Sequence, residues 1–260
     1  MSTSEEYKQY LYSEVRMEDR CDIFLTKTLP MLEIAAEGHD LKHIVSYSAA
    51  MPDQYKNRLS SAARKFPFLD LNQVEDGENL RSPHRVARTM LAELGMSPTT
   101  PFGIYRLDDD DILSADYFDQ MGAHIIPEKV GHVVSLGHGL TAVYMGGEYR
   151  WTRKIYRPLL ALGLLSVCRY NSDGTISVPV PSAHTHSARY NPVIQDDRKL
   201  SYMWTRSLTQ DTMLHQYGKD SAQLLNRILH DFKEYDLPGE EAELAFPVLK
   251  SILRMDEISG

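Results

Sequence analysis

From about residue 19 to residue 125, segments of helical periodicity alternate with short apolar runs, which restricts the chain to an α/β architecture with a largely parallel sheet. The spacing predicts a helix over 18–37, on apolar Ile23, Phe24, Leu25, Leu29, Leu32 and Ile34, with Pro30 perturbing its middle because proline removes an interior hydrogen bond. A strand follows at 41–48 (LKHIVSYS), then a helix at 52–65 with Pro52 in its first turn, and a short strand at 67–71. Residues 82–95 read as a helix capped by Ser82, started by Pro83 and closed by Gly95. Segment 102–107 (FGIYRL) is a buried strand, and a further helix begins near Ser114. Beyond 125 the texture changes to antiparallel strands in HVVSLGHGLTAVYMGG, YRWTRKIY and LLSVCRY-NSDG-TISVPV, the last pair joined by a turn-rich NSDG. A long helix is expected over 209–235. The whole, residues 1–260, reads as one domain: an α/β half at about 19–125, a mixed β half at about 126–215 and a C-terminal helical segment at 216–260.

The strand at 102–107 runs without a turn into Asp108, Asp109, Asp110 and Asp111. Side chains on a strand alternate faces, so Asp108 and Asp110 would point one way, together with Arg106. Two carboxylates held close resist ionising together unless a cation lies between them, and the Arg106 charge could lower the Asp108 pKa or meet a phosphate. Hard oxygen donors without cysteine suit Mg2+ or Mn2+, ions that commonly also hold substrate phosphates. Ligands of open α/β sheets bind at the carboxyl ends of strands, where this run falls. It therefore reads as a clamp for a metal ion and a diphosphate. Acidic runs also serve as solvated surface or match a helix dipole, and residues 111–116 would suit a helix start; the missing turn before the run favours the clamp.

Composition excludes several classes. Apolar content of 42% and charged content of 25% are globular values, which rules out a disordered or fibrous chain. No stretch of 18 uncharged apolar residues spans a bilayer. The polar, acidic start lacks the order of a secretion signal, and Cys21 and Cys168 alone cannot make a disulfide framework, so a cytoplasmic setting is expected. A net charge of -8 speaks against non-specific nucleic-acid binding while leaving room for a local basic groove.

The string RLDDDDIL resembles the aspartate motif of the putative rhamnosyltransferase family of GT-A-type glycosyltransferases. DIFLTKTLPML is similar to that family's first helix, with methionine in place of a serine, and HIVSYSAAMPDQYKNRL resembles its following strand and Pro-x-x-Tyr helix. RPLLALGLLSVCRY, SAHTHSARY and MWTRSLTQDTML fall in the family's order, so the resemblance covers about residues 18–215. It implies a GT-A-like, Rossmann-like mixed sheet with flanking helices, a nucleotide-sugar-binding first half and an antiparallel acceptor-side half. It also implies a nucleotide-sugar donor, a saccharide or glycolipid acceptor, a role in surface polysaccharide synthesis and room for peripheral membrane association. Such domains open with a nucleotide-binding strand, for which only 10–16 (YLYSEVR) is available here.

The resemblance places a metal-ligating histidine at His184 or His186, which would share a face on a strand, and puts Asp111 near the ion. Asp211 matches a polar position of the family's late segment and is the candidate acceptor-side base; Asp196 and Asp197 compete with it, and a lone aspartate before a helix is usually a cap. Arg81, Arg85 and Arg88 fall on the helix before the aspartate strand, and Arg85 and Arg88, which partly share a face, could reach a pyrophosphate or could be solvated. Ser46 and Ser48 end a strand where a nucleotide could be met. The strip YRWTRKIYR could stack on a sugar or simply be an exposed strand face, and His132 and His138 read as structural. Two other functions fit the same residues: a metal-dependent phosphohydrolase or nucleotidyl-transfer enzyme, and a non-catalytic glycosyltransferase-like binding module.

Overall fold

The first long helix is broken near its proline. The computed structural model describes residues 9–75, 82–209, 221–235 and 239–251. In it the expected single helix is α1 (Glu14–Ile23), a π-helical turn (Phe24–Thr28) and α2 (Leu29–Ala35). Pro30 has no N–H to give, and its ring crowds the carbonyl four residues back. The widened turn just before it accommodates this, the Leu29 N–H donating to the Phe24 carbonyl five residues earlier. Segment 10–16 is not a strand: residues 9–11 are helical and α1 starts at Glu14, so the first described strand is β1 (His43–Ser48).

From β1 the chain crosses through α3 (Asp53–Lys65) to β2 (Leu69–Val74), which pairs with β1 in parallel from His43 opposite Leu69 to Ser48 opposite Val74. Helix α3 buries Tyr55, Leu59 and Ala62 at helical spacing. Then α4 (Pro83–Glu93) has Ser82 at its cap position, and Gly95 takes the left-handed φ of +67° that ends it. The strand β3 (Pro101–Tyr105) leads to the two-residue β4 (Ile112–Leu113), and α5 (Tyr117–Gly122) begins three residues after Ser114.

The largely parallel sheet is corrected by the pairing of β3. This strand runs antiparallel to β8 (Leu165–Tyr170), Phe102 opposite Cys168, and the rings of Phe102 and Tyr170 stack 5.5 Å apart. The remaining strands are β5 (Val133–Leu136), β6 (His138–Met145), β7 (Glu148–Tyr156), β9 (Ile176–Ser177), β10 (Val193–Asp196) and β11 (Tyr202–Arg206). Among the described residues they form three sheets: β1-β2, then β10-β5-β8-β3 with β9 on β8, then β4-β11-β6-β7. Parallel pairs survive at β1-β2, β10-β5 and β11-β6. The expected hairpin at NSDG is present, β8 with β9, and β6 pairs antiparallel with β7. Of the helix expected at 209–235, α6 (Ser221–Asp231) is seen and residues 210–220 lie outside the described set; α7 (Glu240–Ala245) follows.

One core joins the two halves. Leu32, Leu59, Phe66 and Leu69 from the first half pack with Val134, Leu165, Val167 and Tyr202 from the second. Burial of side chains this size contributes roughly 2 kcal/mol each. Tyr202 lies across Gly139 with its hydroxyl donating to the Gly137 carbonyl at 3.1 Å, and any Cβ on Gly139 would collide with the ring. Gly139→Ala is therefore expected to lower stability by about 1–3 kcal/mol, measured as a fall in the urea midpoint with unchanged slope.

Candidate functional site

The chain does not stay extended after β3. The Asp111 N–H donates back to the Asp108 carbonyl at 3.1 Å, so the four aspartates sit on a turn that reverses the chain into β4. This corrects the alternating placement of Asp108 and Asp110. The turn is required because β4 must pair antiparallel with β11. Asp108 and Asp109 are half exposed, while Asp110 and Asp111 are buried.

Charge on this turn is balanced from the first helix. The Arg20 guanidinium donates from Nε and Nη2 to the two oxygens of Asp109, the Nε contact at 3.2 Å, and from Nη1 to Asp110 Oδ2 at 2.6 Å. Arg106 reaches Asp108 at 3.2 Å, as their shared parity suggested. Burial pushes the Asp110 carboxyl up to about 6, with Asp109 and Asp108 adding to the rise and Arg20 opposing it. Burial and the neighbouring Asp110 raise Asp111 well above the carboxylate range, although its Oδ1 accepts the Thr205 N–H at 3.0 Å. The Asp111 carbonyl also accepts from the Thr28 hydroxyl at 3.1 Å, on the π-helical turn.

The turn forms a wall of a cleft of about 640 Å³, whose other walls come from α1, β1 and β11. Ser46 and Ser48 line it from the end of β1, as the sequence suggested. Ser46 Oγ accepts from Asn72 at 3.1 Å, and Ser48 Oγ accepts the Ala50 N–H at 3.1 Å. Arg16 and Arg20, four apart on α1, lie on the same cleft, and so does Trp204 of β11. His43 lines it too, its Nδ1 2.8 Å from the Tyr105 hydroxyl. A second depression, about 700 Å³, lies at α2 and α4 between Glu33, Asp40, Phe68 and Glu93, and holds none of the candidate residues.

Other candidates fall elsewhere. Arg85 and Arg88 are exposed on α4 and do not line the cleft; Arg88 lies over the Tyr170 ring instead. Arg81 and Asp211 lie outside the described residues. His184 and His186 stand on a 3-10 helix, not a strand, and away from the cleft lining. Asp196 is held well below the carboxylate range by Arg198, helped by His124, and Asp197 accepts from the Gly137 N–H and the Tyr156 hydroxyl; neither lines the cleft. Trp151 packs on Val143, Ile228 and Phe232, which fits the plainer reading of its strip. Among the described residues no three His, Cys, Asp or Glu side chains converge as a ready-made metal site. Sequence reasoning missed Arg16, Arg20, His43, Trp204 and Thr205. The one available signal was two arginines at helical spacing on an otherwise buried face.

The cleft thus sets an acidic turn beside arginines and strand-end hydroxyls, and the chain belongs to a family whose description names glycosyl transfer. That family is described as "Putative rhamnosyl transferase", and its model matches residues 1–217. No curated protein matches the chain.

Removing the Arg20 guanidinium leaves Asp109 and Asp110 facing one another with Asp110 buried. Arg20→Met is expected to cost roughly 3 kcal/mol, and adding Asp110→Asn should recover part of it, read from urea unfolding of the single and double variants. Burial also lowers the His43 imidazole from 6.5 to about 4. Between those values the unfolded chain holds more protons than the folded one, so this contribution is complete above pH 6.5 and is lost as pH falls towards 4. Wild type should lose up to about 3 kcal/mol more than His43→Asn over that window, measured by denaturant titration at its two ends.

Proposed function

We propose that the protein is a metal-dependent glycosyltransferase that moves a sugar, rhamnose by its family's name, from a nucleotide-sugar to a saccharide or glycolipid acceptor, in the cytoplasm and for surface polysaccharide synthesis. The observation that carries this reading is the acidic turn opening on the cleft between β1 and β11. Four carboxylates there meet two guanidiniums, Arg20 and Arg106, and burial already resists the ionisation of Asp110 and Asp111. A surplus of hard oxygen donors in this state fits Mg2+ or Mn2+. Asp108 and Asp110 would hold the ion, whereas Asp111 already has one oxygen on the Thr205 N–H. When bound, the ion would supply positive charge to the diphosphate as it leaves.

The remaining work falls to the chain's own groups. Arg16, Arg20 and Arg106 set positive charge along the cleft, where phosphate oxygens can accept bidentate hydrogen bonds. The hydroxyls of Ser46 and Ser48 offer hydrogen bonds to the nucleoside at the strand end. The acceptor hydroxyl attacks the anomeric carbon, and its proton passes to a carboxylate if configuration inverts, with Asp211 the candidate from sequence. Phe24, Met17 and Trp204 narrow the space left to water.

Asp110→Asn is the direct test. Arg20 keeps its two contacts with Asp109, so the variant should unfold at or above the wild-type urea midpoint. It should lose the stabilisation that Mn2+ with UDP, GDP, TDP or CMP gives the wild type in a thermal-shift screen, and lose turnover with it. Full turnover in Asp110→Asn would overturn the clamp, and release of phosphate without any acceptor would turn the assignment to a hydrolase.

A further inference from the structure

Beside the cleft, Trp204 carries two guanidiniums. The Arg157 and Arg206 carbons each lie 5.0 Å from its ring centroid, while neither arginine lines the cleft itself. Arg206 is buried, with Nη1 3.5 Å from Asp231. Burial pushes its pKa below the usual value, Arg227 and Arg157 add to that, and Asp231 opposes them. Arg157 is exposed, and among the described residues no carboxylate forms an ion pair with it. It is nonetheless anchored. Its carbonyl accepts the Tyr202 hydroxyl at 3.4 Å, and its N–H donates to the Gly137 carbonyl at 2.8 Å. Tyr202, Trp204 and Arg206 share one face of β11, so strand alternation sets the Arg206 guanidinium beside the indole, while Arg157 reaches the same ring from the residue that follows β7. Arg206 is paired with Asp231 and the neighbouring Asp197 accepts from the Tyr156 hydroxyl, so the exposed Arg157 is the guanidinium on this ring that can meet a ligand.

We propose that Arg157, held on the Trp204 ring, binds an anionic group of the acceptor, a phosphate or a carboxylate, next to the donor cleft. Assigning that anion to the acceptor rests on the glycosyltransferase reading; the anion site itself does not. An exposed guanidinium 5.0 Å from the indole centroid can offer its planar fork of donors to two oxygens of one anion. Arg16, Arg20 and Arg106 line the cleft to which the glycosyltransferase reading assigns the donor's phosphates, whereas Arg157 is not among its lining residues.

The chain has two tryptophans, and Trp151→Phe leaves Trp204 as the only indole reporting on the site. In that background, inorganic phosphate and methyl glucuronide are titrated separately while Trp204 emission is followed, with methyl glucoside as the neutral control. A saturable change with at least one anion is expected, weakened about tenfold or more by Arg157→Ala and less by Arg157→Lys. It should be absent with methyl glucoside, and its half-saturating concentration should be the same with and without UDP and Mn2+, whatever baseline emission the nucleotide sets from the cleft that Trp204 lines. A response to phosphate alone indicates a phosphorylated acceptor, and one to glucuronide alone an acidic sugar. No saturable response to either anion, a response that survives Arg157→Ala, or one that the nucleotide displaces would overturn the proposal. If no nucleoside phosphate binds at all, the glycosyltransferase reading falls while an anion response that depends on Arg157 still stands.

Discussion

The structure around the cleft depends on one cation meeting two acids across the fold, Arg20 on the first helix against Asp109 and Asp110 on the turn after β3. Four carboxylates in four consecutive residues repel one another, and two of them are taken out of water by the strand pairing that follows. A guanidinium is well suited to this position because its charge is permanent and its donors are forked, so one side chain serves two acids. A buried pair of this kind adds little net stability, since desolvation consumes most of the attraction. Its effect is on placement. It docks α1 against the turn and brings Arg16 to the same cleft.

Two further hydrogen bonds lock the turn from other sides, the Thr205 N–H to the Asp111 carboxyl and the Thr28 hydroxyl to the Asp111 carbonyl. Thr28 closes the π-helical turn that precedes Pro30. A distortion required by one proline thus lies within hydrogen-bonding reach of the acidic turn. The basic groups then fall into two regions, Arg16, Arg20 and Arg106 within the cleft and Arg157 with Arg206 beside it, separated by the Trp204 indole.

Much of this was legible from local pattern. The helix at 52–65, the cap and glycine stop of 82–95, the strand ending at Ser48 and the NSDG hairpin follow from periodicity and turn chemistry, which are properties of neighbouring residues. The aspartate run stood out because its charge density is unusual after an apolar segment. What could not be read were relations between distant residues. Nothing near Phe102 says that it faces Cys168 antiparallel instead of joining β1 and β2 in a parallel sheet. The aspartates were assigned the strand's alternation because no glycine or proline marks the turn, and the pairing of Ile112 and Leu113 with β11 is what bends the chain. His184 and His186 were given strand geometry on the same ground, and their 3-10 helix follows Pro181 without a period that sequence could display. Arg20 resembled any solvated helical arginine until its partners, 89 and 90 positions later, were in place.

That separation bears on how the molecule is made. The wall of the cleft includes a bond between Asp111 and Thr205, 94 positions apart, and Trp204 arrives only with the last strand. Contacts so remote form late, because a long loop must close before they are rewarded. A ribosome-bound chain released only as far as β8 would have α1, β1 and the aspartates but no β11 to complete the enclosure. The enclosure of that volume therefore waits on β11, whatever has been made before it.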